Sequence, residues 1–155
     1  MTSTKWLVLL QLVTLPAFSW AATAPAAADL KMSHKGKTWT YKIVNKGSLP
    51  INSFFLLVEA PFKVVNTPKG WKVSDSDGCS HVSWMSTGEA GKKINPEDIA
   101  PGQTLGEFTI SSDSKSVTKA EFILGTWDVE KGDAAKGLRN YVEVPGQPDG
   151  NCAHD

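Results

Sequence analysis

Apolar residues in this chain recur with a period of two, in short runs cut by Gly and Pro, and no stretch sustains a helical period. Trp39, Tyr41 and Ile43 alternate with Thr40 and Lys42, which predicts a half-buried strand. Asn45 to Pro50 is a run of turn formers. In Ile51 to Glu59, Phe54, Leu56 and Val58 share one face, and Ile51, Phe55 and Leu57 the other. Apolar residues on both faces predict a central strand covered on both sides. Its length and the flanking Pro50 and Pro61 favour a strand over a short buried helix.

Further strands are expected over Phe62 to Asn66, at Trp71 to Val73, along Val82 and Trp84, over Leu105 to Ser111, over Ala120 to Val129, and briefly over Tyr141 to Val144. Ser74 to Gly78 reads as a polar turn, residues 86–103 as the longest irregular stretch, and Gly106 as a bulge. Many short strands between Gly/Pro turns predict an all-β, two-sheet antiparallel sandwich.

The beginning of the chain has a different character. Lys5 is followed by an apolar run from Trp6 to Val13, then Pro16 and the small-residue stretch Ser19-Trp20-Ala21-Ala22. A basic end, an apolar segment and a cleavage-like site predict a signal peptide that is removed on export. The expected organisation is therefore residues 1–21 signal peptide, 22–28 flexible leader, 29–145 sandwich and 146–155 C-terminal tail. The mature chain is expected to be periplasmic or secreted, with no membrane span. Without Lys5, 15 basic residues face 16 acidic ones, a net charge of −1. That balance gives no footprint for nucleic acid or an anionic membrane.

Several signatures occur in order: Asn45-x-Gly47-x-x-Pro50-Ile51, Pro68-x-Gly70-Trp71, Val82-Ser83-Trp84, and Ile99-Ala100-Pro101-Gly102-Gln103-x-Leu105-x-x-Phe108. Over residues 38–130 the chain resembles bacterial exported immunoglobulin-like β-sandwich modules, of the kind found in PEP-CTERM-type surface and extracellular proteins. The resemblance implies that Asn45 and Gly47 turn the chain between strands, that Pro101-Gly102 sets a tight turn, and that Trp71 and Trp84 fill the space between sheets. It implies a fold and no activity. The residues after Val144 carry no apolar helix and no basic tail, unlike the surface-sorted members.

Two cysteines, Cys79 and Cys152, occur in a chain expected to be exported. A disulfide between them is expected, fastening the tail to the body. In chain-entropy terms it would contribute roughly 4 kcal/mol. The competing reading joins His34, Cys79, His81 and Met85 as copper ligands, since thiolate, imidazole and thioether are the donors of a blue-copper site. Cys79 and His81 also carry the residue types of a nucleophile and its base. Asp75-Ser76-Asp77-Gly78 resembles the opening of a calcium loop, and Glu97-Asp98 adds two hard ligands, but the remaining ligands are missing.

Trp39, Trp71, Trp84 and Trp127 all fit core positions, and Trp127, between the polar Thr126 and Asp128, fits least closely and is the one to choose for stacking on a sugar. No nucleophile-elbow, zinc-protease or phosphate-loop motif occurs. The expected function is an exported, non-catalytic binding or structural module for an extracellular protein. A carbohydrate-binding module is the alternative, and a cupredoxin-like copper protein stands behind it. No cofactor or resident metal is expected.

Overall fold

The computed structural model describes residues 27–89, 95–128 and 133–147, with the side chains of residues 127, 128 and 133–136 left aside. The expected signal peptide lies outside these residues, as do most of the expected leader and tail, including Cys152.

Among the described residues nine strands follow one another: β1 (Ala28–Lys35), β2 (Thr38–Asn45), β3 (Ile51–Leu57), β4 (Lys63–Asn66), β5 (Trp71–Ser76), β6 (His81–Ser86), β7 (Thr104–Ser111), β8 (Ser116–Asp128) and β9 (Asp133–Gly146). No helix occurs among the described residues. One sheet has the order β1-β2-β7-β4 and the other β5-β6-β3-β8-β9, and every strand pairing is antiparallel. The two sheets form a sandwich, as the alternation predicts.

The core is aromatic. Phe54 of β3 stacks on Trp84 of β6 at 5.1 Å and meets Phe108 of β7, across the sandwich, edge-on at 5.3 Å. Trp71 closes on Phe108 at 5.1 Å with rings near perpendicular. Trp39, Tyr41, Phe54, Trp84 and Phe108 are all fully buried. Offset and edge-to-face pairs are the favoured geometries of aromatic quadrupoles, so these rings lock the sheets in register. Two indole N–H groups find partners at the rim, Trp71 donating to the Glu97 carbonyl at 2.8 Å and Trp84 to the Thr67 hydroxyl at 3.2 Å, whereas the buried Trp39 N–H has none among the described residues.

Asn45 ties one end of the sandwich together. Its amide donates to the carbonyls of Leu49 and Ile99, both at 2.8 Å, and its side-chain oxygen accepts from Gly47 N–H at 2.9 Å. Its backbone accepts from Gly102 N–H and donates to the Gln103 carbonyl. Ala100 to Gln103 is the expected tight turn, closed by Gln103 N–H on the Ala100 carbonyl, with Gly102 at φ +79° where a type II turn needs a positive angle. The bulge beside Gly106 is present too, and Glu107 takes up its strain at φ 74°.

Several expectations need correction. β1 is a strand that the sequence reading left unassigned. The polar segment Ser74 to Gly78 is no simple turn, because β5 runs through Ser76 with a bulge between Val73 and Asp75. β9 begins at Asp133, well before Tyr141. All three are edge strands, held by backbone pairing on one side, and apart from Trp71 β5 buries nothing that would show as a pattern. The expectation that β3 is covered on both faces also fails. Ile51, Phe54 and Leu56 are buried, whereas Phe55 and Leu57 are only half-buried on the outer side.

Candidate functional site

The outer face of the five-stranded sheet is the surface on which β3 leaves its second apolar set. Because β3 is the middle strand, Phe55 lies at the centre of that face. Register fixes its neighbours. Phe55 stands opposite Ser83 of β6 and Ile123 of β8, Ser83 stands opposite Asp75 of β5, and Ile123 opposite Arg139 of β9. One row therefore crosses all five strands: Asp75, Ser83, Phe55, Ile123, Arg139. Leu57 and His81 face each other beside that row, as do Glu121 and Tyr141. Met85 is 47% exposed and Tyr141 67% exposed on the same face. A sandwich needs apolar residues only on its inner faces. Five large apolar side chains outside, among charged neighbours, are the composition of an interaction patch.

His81 is fixed within this face. Its ring stacks on Phe55 at 5.7 Å, and its Nε2 lies 3.0 Å from the Asp75 carboxylate. On the other side Arg139 reaches the Glu121 carboxylate at 3.4 Å. The Asp75 and Arg139 side chains remain 73% and 68% exposed. In the row through Phe55 the face thus has an apolar centre with acidic Asp75 at its β5 end and basic Arg139 at its β9 end, while Lys72 and Glu143 lie on other rows of the same two strands.

The β5–β6 turn below it and the strand ends that flank it bring together Ser80, His81, Asp75 and Asp77. Ser80 Oγ lies 3.3 Å from His81 Nδ1, in line with the His81–Asp75 contact. These are the residue types of a nucleophilic triad, but the donors are committed elsewhere. The Ser80 hydroxyl donates to Asp77, and the backbone N–H groups of Cys79, Ser80 and His81 all converge on Asp77 Oδ1. Those amides are the turn's natural anion nest, and the chain's own carboxylate fills it. Partial burial pushes the Asp77 carboxyl upward, but the Ser80 hydroxyl and the three amides outweigh it and hold the carboxyl well below the usual range. The hydroxyl proton therefore points away from the imidazole, and the amides are not left to hold a developing oxyanion.

The proposed metal sets are not assembled. His34 sits on β1 in the other sheet, stacked on Trp39 at 3.9 Å and bonded through Nε2 to the Gly36 carbonyl. His81 and Met85 share the outer face of the five-stranded sheet, and no cysteine is free among the described residues. Asp75 contacts His81 while Asp77 caps its own turn, so the calcium-like spacing makes a turn. Glu97 and Asp98 lie at the opposite end, where Trp71 and Ser86 engage them. Among the described residues no group of three or more His, Cys, Asp or Glu side chains converges as a metal shell would require. Trp127 is on β8 opposite Ala134, and its side chain lies outside the described set. Cys152 lies outside it as well.

An open cleft of about 670 Å³ occupies one end of the sandwich, with Lys37, Lys63, Lys115, Asp113 and Gln147 on its walls. Lys37 and Asp113 pair across it, which raises the lysine and lowers the carboxyl from their ordinary values. Both members are exposed, so the pair contributes little to stability.

The sequence reading missed the outer patch because it assigned Phe55 and Leu57 to a second covering layer. The signal was present: a β-sandwich has two layers, so one apolar face of β3 had to point outward. No known protein-family model matches this chain, and no curated protein is similar to it in sequence.

Proposed function

We propose that this chain is an exported, non-catalytic binding module of immunoglobulin-like type that docks a protein partner on the outer face of its five-stranded sheet. The observation that carries this reading is the apolar centre formed by Phe55, Leu57 and Ile123, rimmed by Met85, Tyr141, His81 and the charges at its margins. Export rests on the Lys5-to-Ala22 leader. The immunoglobulin-like reading is supported by the nine strands of the described residues, divided four and five as in variable-type domains. The routing differs, since β4 enters the four-stranded sheet before β5 and β6 join the other. A Cys79–Cys152 disulfide belongs to the same reading. It predicts that the exported chain is two hydrogens lighter than its reduced form.

The test is binding of the labelled chain to the surface of the cells that produce it, comparing wild type with Phe55→Ser/Ile123→Ser confirmed as folded by circular dichroism. Loss of binding in the variant is the expected result. Undiminished binding refutes the outer face as the docking surface. A polysaccharide partner is the second reading, favoured by the exposure of the Tyr141 ring beside Arg139. It requires Tyr141→Ala, or Trp127→Ala, to abolish binding on a glycan panel.

A further inference from the structure

We infer that the partner seated on this face is a second copy of the same chain, packed sheet to sheet about a two-fold axis running along β3. This rests on the reading that the outer face is a docking surface, and adds what docks there.

The row across the sheet is antisymmetric in charge. Asp75 lies two strands to one side of Phe55 and Arg139 two strands to the other, with Ser83 and Ile123 between. A two-fold contact must be self-complementary: if residue i meets residue j, then j meets i. Rotation about an axis along β3 lays β5 of one copy over β9 of the other. Phe55 then meets Phe55, Ser83 meets Ile123, and Asp75 meets Arg139 at both margins. The neighbouring positions agree, because β6 lies over β8 and His81 comes over Glu121. The alternative in-plane axis, across the strands, sets Asp75 on Asp75 and Arg139 on Arg139. Like charges at both margins reject that arrangement and select the first. Sheets packed face to face are rotated by about 30° and lie about 10 Å apart, an offset that the long arginine side chain can cover. Both Asp75 and Arg139 are more than two-thirds exposed, so each has room for an intermolecular partner beside its own contact.

Sedimentation equilibrium of the full exported chain tests this. Wild type is expected to form a dimer that dissociates on dilution and with salt. Phe55→Arg is expected to be monomeric. Asp75→Arg and Arg139→Asp each place like charges at both margins, and each should weaken the dimer by roughly tenfold or more. Mixed together, the two variants regain opposite charges at both margins, and the mixture should form a heterodimer with affinity within about threefold of wild type. A wild type that stays monomeric to millimolar concentration overturns the inference. So does a mixture no better than its components. A monomer that still binds cells through Phe55 refutes self-association and leaves the docking reading standing, whereas a dimer indifferent to all three substitutions refutes both assignments of this face.

Discussion

Replacing Asn45 by alanine should remove more stability than any other single polar substitution in the described fold. Asn45 is 1% exposed, and its side chain makes three hydrogen bonds at 2.8, 2.8 and 2.9 Å. Each such bond contributes about 1 kcal/mol net, and a buried partner left unsatisfied costs at least that much. Here the loss leaves the Ile99 and Leu49 carbonyls and Gly47 N–H without those bonds, so the expected destabilisation is about 3 kcal/mol. For a domain of this size that corresponds to a fall in Tm of about 10 °C. Urea titration followed by tryptophan fluorescence reads it directly, since Trp39, Trp71 and Trp84 are buried and change environment on unfolding. Asn45→Asp sharpens the test. It keeps the acceptor for Gly47 but turns a carboxylate toward two carbonyls, which raises the folded pKa of the introduced acid. The stability of that variant should therefore be greatest below the ordinary carboxyl pKa, about 4, and be lost as pH rises through the folded value. An Asn45→Ala protein within about 0.5 kcal/mol of wild type would show that the three bonds do not hold the end of the sandwich, and that water replaces them at no cost.

Trp84→Ala removes a fully buried indole from between Phe54 and Phe108, and should cost about 3–5 kcal/mol, read as a shift of the urea midpoint at unchanged slope. Burial pushes the Tyr41 phenol well above its ordinary value, so its contribution is fully present below about pH 10 and is lost as pH rises through the folded pKa. Tyr41→Phe should flatten that alkaline limb of the stability profile while costing little at neutral pH, because the bond to the Glu143 carbonyl is long, at 3.3 Å. Asp77 has the opposite sign. Its depressed carboxyl stabilises above the ordinary pKa of about 4 and loses that contribution as pH falls toward the folded value. Asp77→Ala should remove this acid limb and speed amide exchange at Cys79, Ser80 and His81, and unchanged exchange at those three positions would refute the capping role.

The sequence made the interior legible and left the margins obscure. Trp39, Tyr41 and Ile43 alternate because one side of β2 faces Phe54 and its neighbours, and burial imposes that period on any sequence that folds this way. Asn45, Gly47 and Pro101-Gly102 were readable for a different reason: their turns demand particular backbone chemistry. β5 left no such trace, since five of its six residues are exposed and pairing with β6 alone keeps it in place. The outer patch was half legible. Its residues were identified as apolar, but deciding what lay over them required the number of layers. The charge antisymmetry of Asp75 and Arg139 was beyond local reading, because sixty-four positions separate residues that only register sets in one row.

The strand order also governs when this chain can fold. β2 gains its interior neighbour only through β7, so Thr40 waits for Thr109, sixty-nine residues later. Tyr41 waits for Glu143, 102 residues later. Neither sheet is complete in any N-terminal half of the chain, and the central ring Phe54 lacks Phe108 and Phe122 until both have emerged. Contacts this distant make a slow folder, because loop closure must be completed before burial rewards it. A growing chain can pair β1 with β2 and, once Ser86 has emerged, β6 with both β3 and β5, but these pieces keep an uncovered apolar face until β7 and β8 supply Phe108 and Phe122. A chain cut short of β8 therefore lacks both Phe122 and the second strand that pairs with β3, so truncation from the C-terminal side takes two of the five strands of that sheet together with one wall of its aromatic centre.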